Sequence, residues 1–232
     1  KKKNVRVIVQ NKDDLKFIKK YFLCPLNKIE IIRGSGIDIN FYNFQREPSF
    51  PPINITYVGR LIEDKGIESI IEAFEIAYKK NDQIKLLLVG GLDNKNIRPI
   101  SKKYIEERIH NNNSIKYLGE IEDIRKIWKK SHIAILASKR EGLPKSLLEA
   151  AATGRAIIST DVPGSREIAL NSINAETVKL GDNNALAKAI LYLAENHNIR
   201  KNYGLKSREL VESDMSQDKV IKKTLNLYQN FC

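Results

Sequence analysis

Short apolar runs of β type alternate along this chain with amphipathic stretches of helical type. The sequence predicts strands at Val5–Val9, Ile29–Ile32, Ile53–Val58, Ile84–Val89, Ile115–Leu118, Ile133–Ala137, Ala156–Ser159 and Ala175–Val178. Several runs are apolar almost throughout, which is typical of parallel strands covered on both faces. Helical patterns lie between them at Asp13–Tyr21, Gly66–Tyr78, Ile97–Ile109, Ile121–Lys130, Pro144–Thr153 and Arg166–Leu170. This alternation predicts an α/β fold with a doubly wound, Rossmann-like parallel sheet.

One irregular segment divides the chain. Residues 33–52 contain glycines and prolines without a hydrophobic period, which is typical of a linker. Residues 1–32 provide only a strand, a helix and a strand, too little to fold alone. We interpret them as the remnant of an upstream domain or as edge elements, and residues 53–232 as the main domain. From Asn183 onwards the pattern is helical only, in about three segments.

The charge of the chain favours anionic partners. It carries 40 basic and 28 acidic residues, a net charge of +12, which attracts nucleotide phosphates, an anionic membrane face or nucleic acid. A simpler explanation is compositional, because many lysines occur as pairs on apparent helix surfaces. No basic stripe is interleaved with aromatic residues, so we do not expect nucleic-acid binding.

Other bulk features limit the cellular setting. No apolar run approaches the ~20 residues of a membrane span, and no apolar signal segment follows the basic N-terminus. Cys24 and Cys232 lack metal or redox spacing, so we expect reduced thiols and a cytoplasmic location. The only methionine is Met215, and we therefore interpret the chain as a fragment or a processed product.

The first candidate site follows the predicted strand Ile53–Val58. Gly59 lets the backbone approach a ligand closely. Arg60 and Lys65 flank the turn, and both could reach one diphosphate at the carboxyl edge of the sheet. The alternative is a solvated loop. Lys65 stands near a helix start, where a cation opposes the helix dipole, and this placement is mild support for a bound anion.

The second candidate site pairs Glu141 with Glu149 across a strand, loop and helix. Eight helical residues span ~12 Å, more than the ~6.5–9.5 Å that separates an inverting carboxylate pair. The two acids therefore fit the two ends of one elongated ligand, gripping hydroxyl groups. Glu149 lies inside an apolar run, where a charge is costly without a partner. This favours a ligand or an ion pair over solvent.

Four fragments occur in a characteristic order. They are Gly34-Ser35-Gly36-Ile37-Asp38, Tyr57-Val58-Gly59-Arg60-Leu61 with Lys65-Gly66, Glu141-Gly142-Leu143-Pro144 with Glu149-Ala150, and Asp161-Val162-Pro163-Gly164. Together they resemble the C-terminal, nucleotide-sugar-binding half of group 1 glycosyltransferases. These are retaining enzymes of the GT-B fold, which has two Rossmann-like domains.

The resemblance implies a role for each matching residue. Arg60 and Lys65 would hold the donor's diphosphate, and Glu149 would bind the ribose hydroxyls. Glu141 would face the donor sugar, and it joins Arg60 and Lys65 as the implied catalytic set. The residues implied in donor binding are Gly59, Arg60, Lys65, Gly119, Glu120, Ile121, Glu141, Gly142, Leu143, Pro144, Lys145, Ser146 and Glu149. Of these, Gly119, Glu120 and Ile121 would lie near the base.

The resemblance also implies the reaction and its partners. A sugar would pass with retention from a UDP- or GDP-linked donor to a glycan or lipid-linked acceptor, as in capsule or other polysaccharide biosynthesis. No Asp-x-Asp motif is present, so neither a metal nor a cofactor is expected.

The acceptor domain of the family is missing, so this part alone is expected to be inactive. The last helix, near Lys219 to Phe231, would cross back toward that domain. Peripheral contact with the inner face of a membrane agrees with this setting.

Two other interpretations remain open at this point. The chain could be a non-catalytic nucleotide- or phosphate-binding module that uses the same carboxyl-edge chemistry. It could also belong to another GT-B enzyme, such as a nucleotide-sugar epimerase or a glycan phosphorylase. A phosphorylase would need a lysine that carries pyridoxal, and the sequence identifies none.

Overall fold

The computed structural model describes residues 5–22, 25–93 and 96–229, so Cys24 and Cys232 lie outside the described residues. The strands are β1 (Val7–Val9), β2 (Ile29–Ile31), β3 (Ile53–Val58), β4 (Ile84–Val89), β5 (Ile115–Tyr117), β6 (Ile133–Leu136), β7 (Ala156–Thr160) and β8 (Ala175–Val178). The helices are α1 (Lys12–Tyr21), α2 (Ile67–Tyr78), α3 (Lys102–Asn111), α4 (Arg125–Trp128), α5 (Lys145–Ala152), α6 (Asn183–Glu195), α7 (His197–Leu210) and α8 (Gln217–Gln229).

The main body is built on a six-stranded sheet with the order β5-β4-β3-β6-β7-β8. Every pair of neighbouring strands is parallel. The chain first builds outwards from β3 to β5 and then returns to the other side of β3 with β6. The strand order therefore reverses between β3 and β6, and the crevice at such a switch point is where open α/β sheets bind ligands. The predicted doubly wound fold is confirmed.

The core explains why the apolar runs become central strands. All four residues of β6 are buried, as are Ile55 and Tyr57 of β3. Helix α2 turns Ile67, Ile70 and Phe74 toward the sheet, at the spacing of one helix face. Burial of each such side chain contributes roughly 1.5–3 kcal/mol. Helices cover both faces of the sheet, so the strands need no polar alternation.

Several predicted element boundaries are wrong. The helix predicted from Ile97 starts only at Lys102, because the Ser101 hydroxyl caps it by accepting from the Tyr104 amide. The helix predicted over residues 121–130 is a single α-helical turn, α4, and the one predicted over residues 166–170 is a 3₁₀ turn. The three C-terminal helices are confirmed as α6, α7 and α8. Among the helices that the structure describes, none is long and apolar enough to span a bilayer.

Strands β1 and β2 form a separate two-stranded parallel sheet, with α1 between them in sequence. Helix α1 buries none of its residues, and Phe17, Tyr21 and Phe22 are more than half exposed. The start of α1 contacts the main body: the Lys12 amide donates to Glu167, and Asp13 pairs with Arg166. This small unit is thus attached through one helix end and keeps an uncovered apolar surface.

Residues 33–52 run along the main body without forming an α-helix or a named strand. Ile37 makes two backbone hydrogen bonds with the C-terminal part of the chain, donating to Met215 between α7 and α8 and accepting from Gln217 at the start of α8. Farther along, Tyr42 is buried and Glu47 pairs with the buried Arg200 of α7. These contacts fix the segment against the main body.

The β8 edge of the sheet is closed by its own preceding turn. The Ser172 amide donates to the Ala175 carbonyl at 2.9 Å, and the Thr177 amide donates to the Asn171 side chain at 3.0 Å. Ser172 adopts a left-handed conformation, with φ +59°, to make this turn. The outward-facing carbonyl of Ala175 and amide of Thr177 are therefore already bonded.

Candidate functional site

A cleft of about 450 Å³ opens at the carboxyl ends of β3 and β6, at the switch point of the sheet. It is lined by Val58, Gly59, Arg60, Lys65, Leu136, Glu141, Pro144, Lys145, Ser146 and Glu149. The structure therefore gathers residues that lie up to 91 positions apart in the sequence around one space. A larger cavity, of about 630 Å³, lies between β8 and α7 and contains none of the residues proposed from the sequence.

Gly66 allows the loop after β3 to touch the end of β6. It has φ +72°, and a Cβ atom at this position would lie 2.1 Å from the Ala137 carbonyl oxygen. Only glycine tolerates both the conformation and the contact. Lys65 ends the 3₁₀ turn just before this glycine, so the close approach carries its side chain to the switch point.

Lys65 and Glu141 are in direct contact. The Lys65 Nζ lies 2.6 Å from Glu141 Oε1, and the Ser138 hydroxyl donates to the same oxygen at 2.6 Å. The Lys65 side chain is 25% exposed and that of Glu141 is 11% exposed. An anion entering the cleft would therefore compete with Glu141 for the ammonium group. Ser138 keeps a hydrogen bond to the carboxylate if the lysine turns away.

Arg60 lies at the rim of the cleft, with 62% of its side chain exposed. Its guanidinium donates to Asp93 Oδ2 at 2.9 Å. Its carbonyl accepts from the Tyr57 hydroxyl at 2.7 Å, which fixes the backbone at the strand end. Asp93 was missed by the sequence analysis, and its position shortly after β4, beside β3, was the available signal.

Glu149 is the buried acid of the site, with 5% of the residue exposed. Tyr42 donates to its Oε1 at 3.0 Å and Trp128 donates to its Oε2 at 3.3 Å. The Lys145 Nζ lies 3.8 Å from Oε1. Burial raises the pKa of Glu149, while the two hydrogen bonds and Lys145 oppose that rise. The buried carboxylate of Glu149 is thus stabilised by two hydrogen-bond donors, Tyr42 and Trp128, neither of which was identified from the sequence.

The three residues predicted near the base do not line the cleft. Gly119 follows β5, and its carbonyl accepts from the Gly90 amide at the end of β4. Glu120 packs against Gly91, where a Cβ atom would lie 2.1 Å from the Glu120 Oε1. Together with Ile121, these residues follow a strand farther along the same carboxyl edge.

Gly142 and Leu143 also lie outside the lining and face the N-terminal part of the chain. The Gly142 carbonyl accepts from the Asn11 side chain at 3.0 Å. Leu143 approaches Gly34, where a Cβ atom would lie 3.2 Å from the leucine Cδ2. Behind this loop, Gly164 packs so closely that a Cβ atom there would lie 2.3 Å from the Glu141 carbonyl oxygen. The Pro163-Gly164 fragment therefore supports the Glu141 loop.

Among residues 5–22, 25–93 and 96–229, no group of three or more histidine, cysteine, aspartate or glutamate side chains is arranged to hold a metal ion.

Comparison with known proteins identifies the family. A family model described as glycosyl transferases group 1 matches residues 52–196, more than half of the chain. The chain belongs to this family. It is 27% identical over 220 residues to the capsular polysaccharide biosynthesis glycosyltransferase CapM of Staphylococcus aureus. That match covers 90% of this chain and 57% of CapM, so the chain spans little more than half of that relative.

Solved structures share the fold of this chain. A glycosyltransferase from Rickettsia africae superposes with a TM-score of 0.86 at 23% identity, over 99% of this chain and 64% of that one. Anabaena HepE in complex with UDP-glucose superposes with a TM-score of 0.81 at 18% identity, over 97% of this chain and 64% of that one. At these identities the likeness concerns the fold alone, and it confirms the predicted GT-B type of architecture.

Proposed function

We propose that the cleft binds the nucleotide-diphosphate sugar donor of a retaining hexosyltransferase. The observation that carries this proposal is the convergence of Arg60, Lys65, Glu141 and Glu149 on one space at the switch point. Two cations beside two carboxylates match a ligand with an anionic centre and hydroxyl-bearing ends. The HepE structure, a protein of similar fold, contains UDP-glucose, which supports a sugar nucleotide as the ligand class.

The chemistry of the transfer assigns a task to each cation. When the sugar–phosphate bond breaks, negative charge accumulates on the leaving diphosphate. Lys65 leaves Glu141 to bind this charge, and Arg60 swings in from Asp93 at the rim. Preorganised donors of this kind each contribute about 10²–10³ to the rate. A donor phosphate oxygen takes the proton of the acceptor, so this part of the protein supplies no separate base and needs no metal.

The remaining proposed contacts extend along the carboxyl edge. Glu149 binds the ribose hydroxyls, and Glu141 faces the sugar together with the backbone of residues 144–146, which line the cleft. Gly119, Glu120 and Ile121 approach the base, which is that of UDP or GDP. The axis of the bound donor therefore runs from the end of β6 toward the end of β5.

The acceptor side is proposed to lie on a second domain. Residues 1–32 are then the last elements of that domain, and the exposed Phe17, Tyr21 and Phe22 mark the surface it covers. The acceptor is a glycan or a lipid-linked saccharide at the inner face of a membrane, in line with the polysaccharide assignment of CapM. Without this domain the chain binds the donor but transfers no sugar.

Calorimetry on the chain tests the proposal. We expect one of UDP, GDP and ADP to bind clearly better than orthophosphate, because the ribose and base add contacts beyond the diphosphate. Glu149→Ala should weaken nucleoside diphosphate binding by about tenfold, the value of one or two charged hydrogen bonds. Pyrophosphate binding should be almost unchanged in this variant. Equal, weak binding of every anion would instead support a phosphate-binding module.

A further inference from the structure

The carboxylate of Glu149 is held by two side chains that belong to none of the recognised fragments. Tyr42 comes from residues 33–52, and Trp128 comes from α4. Both are buried, with 8% and 1% of each residue exposed. Their hydrogen bonds reach different oxygens of Glu149, so they fix the plane of the carboxylate as well as its position.

Tyr42 is itself firmly placed. Its amide donates to the Asp38 carbonyl at 2.9 Å, and its carbonyl accepts from the Arg208 guanidinium at 2.8 Å. Burial, followed by the nearby Glu149 charge, raises the pKa of Tyr42, so the hydroxyl keeps its proton at neutral pH. The tyrosine is therefore a permanent donor to the acid.

The remaining capacity of Glu149 matches a diol. An ionised carboxylate offers about four acceptor sites, and the hydrogen bonds from Tyr42 and Trp128 occupy two of them. Glu149 also lines the cleft, which places free acceptor capacity on the ligand side. Lys145 is 77% exposed and 3.8 Å away, too distant for a hydrogen bond. Two free acceptor sites suit the two adjacent hydroxyl groups of a ribose.

We infer that Tyr42 and Trp128 are positioning residues that aim the free acceptor sites of Glu149 at the two hydroxyls of the donor's ribose. This inference rests on the proposed function and extends it to residues outside the recognised motifs. It also makes residues 33–52 a part of the nucleoside site. The groups that face Glu149 are then Tyr42 from this segment, Trp128 from α4 and Lys145 from its own helix.

The first test needs no ligand, because Trp128 is the only tryptophan of the chain. Its indole N–H donates to Glu149, so its fluorescence should change when the acid is protonated. In Tyr42→Phe the ionised acid loses a donor, and the fluorescence midpoint should move up by about one pH unit. Tyr203→Phe is the matched control, because Tyr203 is equally buried and donates to Glu176 away from the cleft.

The second test measures binding to the full chain by calorimetry. Tyr42→Phe should weaken binding of the preferred nucleoside diphosphate by about fivefold to tenfold. Its affinity for pyrophosphate should stay at the wild-type value, and Tyr203→Phe should change neither affinity. This split separates a role in aiming Glu149 from a general loss of structure.

The outcomes separate the positioning role of Tyr42 from the proposed donor-binding function. If the wild type prefers a nucleoside diphosphate but Tyr42→Phe binds it equally well, the positioning role is wrong and the proposed function stands. A parallel loss of pyrophosphate and nucleotide binding also overturns the positioning role. If the wild type binds no nucleoside diphosphate better than orthophosphate, both the proposed function and the ribose role are wrong.

Discussion

At the scale of single residues, the site is held in a neutralised state by its own opposite charges. Lys65 contacts Glu141, and Arg60 contacts Asp93. The proposed diphosphate would have to displace both carboxylates, so its net binding energy would be smaller than two free cations would give. The exposed Arg60 pair is also screened more strongly by salt than the partly buried Lys65 pair. The two cations should therefore contribute unequally.

We expect Lys65→Ala to weaken diphosphate binding by about tenfold to a hundredfold, more than Arg60→Ala does. The loss in Arg60→Ala should shrink further as salt is raised. Lys139→Ala serves as the control, because Lys139 pairs with Glu63 on the same loops but does not line the cleft. Calorimetry with pyrophosphate at two salt concentrations checks the order. A larger loss in the Lys139 variant than in the Lys65 variant would contradict it.

Several residues that line the cleft could be named from the sequence, but their hydrogen-bond partners could not. The spacing of Arg60, Lys65, Glu141 and Glu149 follows from motifs that are contiguous in sequence. Tyr42 lies 107 residues from Glu149, and nothing in the local pattern marks it as a hydrogen-bond donor to that acid. Such partners are set by packing, which a single sequence does not display.

At the scale of elements, the strands were predicted better than the short helices. Largely apolar runs such as Ile84–Val89 become strands with the same bounds, because most of their side chains are buried in the core. Helix starts instead depend on single caps, as at Ser101, where Ile97 remains fully outside the helix and 97% exposed. The bounds of α4 were also mispredicted, because its four residues are too few to produce a periodic hydrophobic pattern.

The contact between the loops after β3 and β6 gives an element-level prediction. Gly66→Ala should destabilise the chain by more than about 2 kcal/mol, because left-handed strain adds to a clash with the Ala137 carbonyl. Gly181→Ala is the control, since Gly181 also has positive φ but nothing lies within 4 Å of its added Cβ atom. This variant should lose only about 1–2 kcal/mol. Urea unfolding compares the two, and equal losses would rule out the clash.

At the scale of the whole molecule, the two-stranded sheet and the main body meet through α1 and residues 33–52. The sequence analysis interprets residues 33–52 as a linker, because they contain glycines and prolines without a hydrophobic period. It did not predict that the connecting segment would be fixed by long-range contacts, such as that between Glu47 and Arg200. These contacts join residues more than 150 positions apart, and only the complete fold creates them.

His132 predicts how the stability of the whole molecule depends on pH. It is 1% exposed, and burial lowers the pKa of His132 to about 4. The folded state therefore resists protonation that the unfolded chain accepts near pH 6.5. Stability should be complete above about pH 6.5 and fall by roughly 2–3 kcal/mol as pH approaches 4.

Unfolding by urea at several pH values checks this slope. In His132→Gln the free energy of unfolding should fall less between pH 6.5 and pH 4 than it does in the wild type. The variant starts from a lower stability. His110→Gln, at an exposed histidine of α3, is the control substitution. The same slope in the wild type and in His132→Gln would show that another group titrates in this window.

The closed border at β8 has a consequence for how this protein behaves among its own copies. An open strand at the rim of a sheet is a template on which further chains can stack into fibrils. Here the Asn171 side chain and the Ser172 amide already bond two of the backbone groups with which an invading strand would pair. Crowding many molecules together should therefore not seed aggregation from this rim.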